Sequence, residues 1–320
     1  MNTEKYKVLI TGGAGFIGSH IAEFLLSIGW YVKVVDNLST GKKSNLDNIQ
    51  KIYSDRFEFI YGDISNLDVC RNAVKNIDLI CHQAALGSVP RSVEDPLMTH
   101  ISNVNGQLNI LIAAKEIGIK RIVYASSSSV YGDDITLPKI EKNVGNPLSP
   151  YAVTKKINEL YGNVFSNIYG MECIGLRYFN VFGPKQDPNG VYAAVIPKFI
   201  SCIKSNIIPF INGDGSYSRD FTYVSNVVYA NYLALTTKNK ECFGKIFNIG
   251  NGGRVTIEEL YRTIATKLEF YYDPIYSNQR VGDIPHSNAS IEYANKLLGY
   301  IPNVSFRDGI NLTIQYYNSI

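Results

Sequence analysis

Lys7-Val-Leu-Ile-Thr11 is a short apolar run that leads directly into Gly12-Gly-Ala-Gly-Phe-Ile-Gly18 and then an apolar helical stretch, Ile21 to Ile28. Gly12, Gly15 and Gly18 stand three apart. That spacing lets a backbone turn tightly from strand to helix, approach a pyrophosphate and aim a helix N-terminus at it. A second strand, Tyr31 to Val35, ends in Asp36, 21 positions after Gly15. An acidic residue about 20 positions on suits an adenosine ribose diol and disfavours a 2′-phosphate. NAD is therefore expected rather than NADP.

The same rhythm continues. Apolar strands near 7–11, 31–35, 57–61, 79–83, 121–126 and 172–177 alternate with helical stretches. This predicts an α/β fold with a doubly wound parallel (Rossmann) sheet. After Tyr178 the pattern becomes irregular, with Gly-Pro, Asp-Pro and Asn-Gly turns.

Two further motifs carry chemistry. Tyr151 and Lys155 lie in Ser-Pro-Tyr-Ala-Val-Thr-Lys, and on a helix they share one face, one turn apart. An ammonium one turn from a phenol favours the phenolate, lowering a pKa that starts near 10. The pair is then a base for a sugar hydroxyl. Tyr124-Ala-Ser-Ser-Ser-Ser-Val-Tyr-Gly132 places hydroxyls at the C-terminal end of a strand, where ligands of open α/β sheets bind.

Together these motifs resemble the extended short-chain dehydrogenase/reductase superfamily. Matches continue through His82-Gln-Ala-Ala85, Asn103-Val-Asn-Gly106, Leu176-Arg-Tyr-Phe-Asn180, Ser218-Arg-Asp-Phe221 and Arg280-Val-Gly-Asp283, and these resemble the UDP-sugar 4-epimerases. Gly87-Ser-Val-Pro-Arg-Ser92 and Gln186-Asp-Pro-Asn-Gly-Val-Tyr-Ala-Ala194 are similar to the group acting on UDP-N-acetylhexosamines. Dehydratases and decarboxylases of the superfamily carry carboxylates where this chain has Ser128 and Ser129. Epimerisation at C4 needs one base and a returned hydride, and it remains.

The resemblance implies Tyr151, Lys155 and Ser127 as the catalytic set. Tyr151 would take the 4-hydroxyl proton, Ser127 would share the hydrogen bond to that oxygen, and Lys155 would hold the nicotinamide ribose and keep Tyr151 ionised, helped by the positive nicotinamide. It implies cofactor contacts at Gly12, Gly15, Phe16, Ile17, Asp36, Asn37, Asp63, Ile64, Gln83, Tyr151, Lys155 and Tyr178. Substrate contacts are implied at Gly87, Ser88, Ser127, Ser128, Asn180, Ala194, Val195, Lys198, Asn212, Arg219, Arg280, Asp283 and Ser287. Ser287, four positions after Asp283, would lie beside the sugar's C2 substituent, where a small residue leaves room for an acetamido group. The NAD-binding domain is expected over 1–178 plus 224–250, and a smaller α/β UDP-sugar lobe over 179–223 plus 251–320. Helices beginning near Asn103 and carrying Tyr151 would pair with a second copy as a four-helix bundle, giving a homodimer. Epimerisation of UDP-N-acetylglucosaminuronate or UDP-glucuronate, epimerisation of UDP-glucose and UDP-galactose, and a non-catalytic nucleotide sensor are the other readings; sensors of this superfamily usually lose the tyrosine or lysine kept here.

Composition is consistent with a cytoplasmic enzyme. A net charge of +3 is too small to argue for nucleic acid or a membrane surface, and no apolar run has the length of a span. No signal peptide is expected before the first strand. Five scattered cysteines and four histidines show no metal-ligand spacing, so reduced thiols and no metal are expected.

Overall fold

A computed structural model describes residues 4–189, 193–279 and 284–319. Seven parallel strands form one sheet: β1 (Lys7–Thr11), β2 (Tyr31–Asp36), β3 (Phe57–Tyr61), β4 (Leu79–His82), β5 (Arg121–Ser127), β6 (Glu172–Tyr178) and β7 (Ile246–Ile249). Their order is β7-β6-β5-β4-β1-β2-β3. The chain works outward from β1 to one edge, then returns to β4 and works outward to the other. The switch between β1 and β4 opens a crevice at the strands' C-terminal ends.

Both faces of the sheet are covered, which is why the strands read as continuous apolar runs. On one face α1 (Phe16–Ser27) packs beside α5 (Val224–Thr236). Val8, Ile10, Val32, Val34, Leu176 and Val227 bury their side chains in that core. On the other face lie α2 (Gly106–Ile117) and α3 (Pro150–Tyr169), over Leu9, Ile80, Ile122 and Tyr124. After β6 the chain makes three short two-stranded pairs. Val181–Phe182 pairs with Thr222–Tyr223, Ser218–Arg219 with Val255–Thr256, and Phe210–Asn212 with Ile275–Ser277. Helices α4 (Val195–Lys204), α6 (Ile257–Lys267) and α7 (Phe306–Ser319) pack with them.

One helix starts earlier than its sequence pattern predicts. Asp95 caps Pro96–His100 by accepting from Met98 N–H at 2.9 Å, and a π turn over Ile101–Asn105 joins that segment to α2. An Asp-Pro pair is an N-terminal signal in its own right, with the carboxylate as cap and proline at the first helical position. Asn103, expected at the helix start, instead points inward from the π turn. Its Oδ1 accepts from Leu86 N–H at 2.7 Å, and its Nδ2 donates to Leu86 O and Thr154 Oγ1. The loop after β4 is thereby tied to the helix that carries Tyr151.

Candidate active site

Gly12 has φ +68°, and a Cβ there would stand 2.7 Å from the backbone of Ala84. A Cβ on Gly18 would collide with the carbonyl of Gly12, so glycine lets α1 start close against the turn. Gly15 is the N-cap of α1 and offers no side-chain cap. The first-turn N–H groups of α1 therefore lack the usual side-chain acceptor, which suits an incoming phosphate. Asp36 ends β2 beside this turn. It is buried, its Oδ2 accepts from Ala14 N–H at 2.9 Å and its Oδ1 from Leu38 N–H at 2.8 Å. Each oxygen keeps a second lone pair for a ribose hydroxyl. Burial lifts the Asp36 carboxyl above its ordinary value.

Helix α3 sets the other end. Ser149 caps it by accepting from Ala152 N–H at 3.1 Å, Pro150 opens the first turn, and Gly170 closes it in the left-handed region. Tyr151 thus falls in the first turn and Lys155 one turn on. Lys155 is buried, donates to Ala125 O at 2.8 Å, and lies 5.9 Å from the Tyr151 ring centre. Burial brings its pKa down to about 8, against a smaller upward pull from Glu159.

The phenol departs from the sequence expectation. Burial raises the Tyr151 pKa above its ordinary value, and the hydrogen bond with Ser127 offsets only part of that. The Lys155 ammonium is directed at the Ala125 carbonyl. In the protein alone, burial thus works against the phenolate more strongly than the Ser127 hydrogen bond favours it.

All twelve positions expected at the cofactor line one cleft of about 310 Å³, which runs from Asp36 past the α1 N-terminus to Tyr151 and Lys155. Its walls also include Ser39, Thr40, Ala84, Leu86, Ser102 and Ser126, which sequence reasoning missed. Ser126 belongs to the serine run, and Ser39 and Thr40 follow Asp36, so position alone could have suggested them. The cleft joins a close glycine turn, an uncapped helix N-terminus and a carboxylate at a strand end, the groups that dinucleotide binding uses.

The substrate positions are more dispersed. Gly87 lines the cleft, and a Cβ there would meet nothing within 4 Å. Ser88, at φ 105°, caps Val89–Glu94. Ser127 accepts from Ser129 N–H at 3.1 Å, and Ser128 opens the following turn. Asn180 is exposed, with its carbonyl accepting from Thr222 N–H. Ala194 caps α4, Val195 begins it, and Lys198 is exposed on it. Asn212 accepts from Ser277 Oγ at 3.1 Å. Arg219 donates to the carbonyls of Ser218 and Pro285, while Ser287 N–H donates to Ser218 O. Arg280 and Asp283 lie outside the described residues. Of the other histidines considered, His82 is buried at the end of β4, paired to Thr11 Oγ1 at 2.7 Å, and burial lowers its pKa to about 3. All five cysteines are free thiols. No helix among the described residues is long and apolar enough to cross a membrane.

Comparison with known proteins decides the family. The profile of the NAD dependent epimerase/dehydratase family matches residues 8–250. The chain belongs to that family. The UDP-N-acetylglucosamine 4-epimerase of Methanobrevibacter ruminantium, solved with UDP-N-acetylmuramic acid, is 39% identical with a TM-score of 0.93, covering 99% of each chain. The UDP-glucuronic acid 4-epimerase of Bacillus cereus, solved with UDP-glucuronic acid and NAD, is 31% identical with a TM-score of 0.88, covering 98% of this chain and 99% of that one. The UDP-glucose 4-epimerase of Mycolicibacterium smegmatis is 35% identical over 98% of this chain and 99% of its own. Within the NAD dependent epimerase/dehydratase family, the chain is an enzyme of the UDP-sugar 4-epimerase group with NAD as its cofactor.

Proposed function

We propose that this enzyme interconverts UDP-N-acetylglucosamine and UDP-N-acetylgalactosamine by inversion at C4. One observation carries the choice of epimerisation. Among the described residues lining the cleft, the carboxylates are Asp36 and Asp63, both at the adenosine end. The end bearing Ala125, Ser126, Tyr151 and Lys155 has none. Water elimination and decarboxylation in this superfamily use an added carboxylate there, as the resemblance implies, whereas inversion through a ketone does not.

Tyr151 exchanges the 4-hydroxyl proton, and Ser127, hydrogen-bonded to it, shares the contact to that oxygen. NAD, when bound, supplies a reversible hydride acceptor and a positive ring charge within the cleft. Lys155, anchored on Ala125 O, keeps a cation beside the phenol through both proton transfers. Grip on the UDP portion, expected from Arg219, Arg280 and Asp283, leaves the hexose free to turn and present its other face.

The acetamido sugar is favoured by the open space at Gly87 and by similarity to the Methanobrevibacter ruminantium enzyme. The corresponding uronate is the second reading, favoured by similarity to the Bacillus cereus enzyme. A C6 carboxylate calls for a basic or hydroxyl cluster. Among the described cleft residues the cation is Lys155, which is committed to Ala125 O. Incubation with UDP-N-acetylglucosamine and, separately, with its uronate tests the assignment by sugar NMR; conversion of the uronate alone would overturn it.

A homodimer is part of the proposal. Val153, Leu160, Val164 and Ile168 form an exposed apolar stripe at helical spacing on α3, with Leu97 and Met98 exposed on the segment leading to α2. Light scattering that gave a monomer mass would remove it.

A further inference from the structure

Three side chains close on one another behind the cleft. Tyr178 Oη donates to Gln83 Oε1 at 3.0 Å, Gln83 Nε2 donates to Asn231 Oδ1 at 3.1 Å, and Asn231 Nδ2 donates back to Tyr178 Oη at 2.8 Å. The remaining amide hydrogens are also used. Gln83 Nε2 reaches Cys81 Sγ at 3.3 Å, and Asn231 Nδ2 reaches Val227 O at 2.8 Å. The Cys81 thiol donates to Asn231 Oδ1 at 3.4 Å. Turning Asn231 over would set its N–H against that of Gln83 and its oxygen against Val227 O, and turning Gln83 over would set its oxygen against Asn231 Oδ1, so these contacts fix both orientations.

Gln83 and Tyr178 line the cleft, whereas Asn231 does not; it is fully buried on α5. Its neighbours on that helix, Val227, Val228, Ala230 and Ala234, are apolar and buried. A leucine would suit this face, and burying an amide instead costs free energy unless its bonds are made. Its one bond within α5 ties the helix to itself and anchors nothing else. The polar atoms of Asn231 are otherwise spent on Gln83, Tyr178 and Cys81.

We propose that Asn231 is a positioning residue for the cofactor. By closing the ring it holds Gln83 and Tyr178 as one rigid wall of the cleft, on the α5 side, across from the helix that carries Tyr151 and Lys155. The ring also keeps the Tyr178 proton between two acceptors, Gln83 Oε1 at 3.0 Å and Asn231 Oδ1 at 3.2 Å, which leaves Tyr151 as the tyrosine available for proton exchange. The inference rests on the epimerase reading only through NAD and is independent of the sugar.

The test is a double-variant cycle on the holoenzyme, following exchange of bound NAD for labelled NAD with no sugar present. Asn231→Leu and Tyr178→Phe should each speed exchange by roughly three- to tenfold, the effect of losing a net hydrogen bond. The double variant should be no faster than the faster single one, because both break the same ring. Factors that multiply in the double variant would overturn the proposal. So would unchanged exchange in Asn231→Leu with only a lowered melting temperature. If Asn231→Leu gives no folded protein, Asn231→Ser, too short to reach Tyr178, runs the same cycle. Failure of the sugar assignment would instead appear as absent turnover with the exchange pattern intact.

Discussion

Glu159 accepts from Nε and Nη2 of Arg177 at 2.7 and 2.9 Å, and both side chains are only 2% exposed. Glu159 also accepts from Ser126 Oγ at 2.6 Å, one residue from the proposed catalytic Ser127. It stands one helical turn after Lys155 and draws that lysine's pKa upward. The pair thus braces the serine strand end and the lysine helix from behind.

Glu159→Gln keeps the shape but leaves the Arg177 cation buried without its counter-charge. Breaking such a pair costs about 3–5 kcal/mol. Denaturant unfolding should show a loss of that order. A loss below about 1 kcal/mol would mean that water or another group already neutralises Arg177.

Lys155 gives a pH signature. Its pKa is about 8 in the folded protein against an ordinary 10.5, with burial as the main cause. Between those values the unfolded chain binds more protons, so stability rises with pH across that window. Below about 8 the full penalty is present. In protein stripped of nucleotide, Lys155→Met should be more stable than the parent by roughly 3 kcal/mol at neutral pH. That advantage should vanish near pH 10.5. Unfolding curves measured across the range decide it, and a difference independent of pH would contradict the buried ammonium.

Much of the fold was legible because its signals are local. Glycine spacing, Asp36 at a strand end and the Tyr151–Lys155 turn each occupy short stretches, and the structure brings them to one cleft. The Glu159–Arg177 pair and the Gln83–Tyr178–Asn231 ring join residues far apart in sequence, and no periodicity announces them. The π turn escaped notice because Ile101–Asn105 has ordinary helical composition and only Asn103's contacts with Leu86 and Thr154 reveal the inward bulge. For Tyr151, spacing alone leaves out an energetic factor. Spacing set the ammonium one turn away, while burial raised the phenol and Ala125 O captured the lysine.

The charge of the cofactor ring should therefore govern the phenol. Tyr151 should titrate lower when the cofactor is oxidised than when it is reduced, since the oxidised ring is positively charged. Ultraviolet titration of the phenolate in the two holoenzyme forms, with Tyr151→Phe as the blank, measures the difference; identical curves would contradict it. Tyr151→Phe should also lose about 10²–10⁴-fold in turnover while keeping NAD.

Ser287 tests the sugar pocket. Its N–H is fixed to Ser218 O, so a larger side chain cannot be relieved by a simple shift of that strand. Ser287→Tyr should lower turnover of UDP-N-acetylglucosamine by about tenfold or more, the effect of overpacking by 1–3 kcal/mol, and spare UDP-glucose. Equal effects on both sugars would remove Ser287 from the C2 subsite.

The most direct measurement follows the hydrogen at C4. UDP-N-acetylglucosamine carrying deuterium at C4 is incubated with the holoenzyme in ordinary water, and the product is read by NMR and mass spectrometry. UDP-N-acetylgalactosamine that retains deuterium at C4 is the predicted result, because the hydride leaves and returns within one closed site. Label lost to solvent, or no acetamido product from enzyme that holds NAD, would contradict the account.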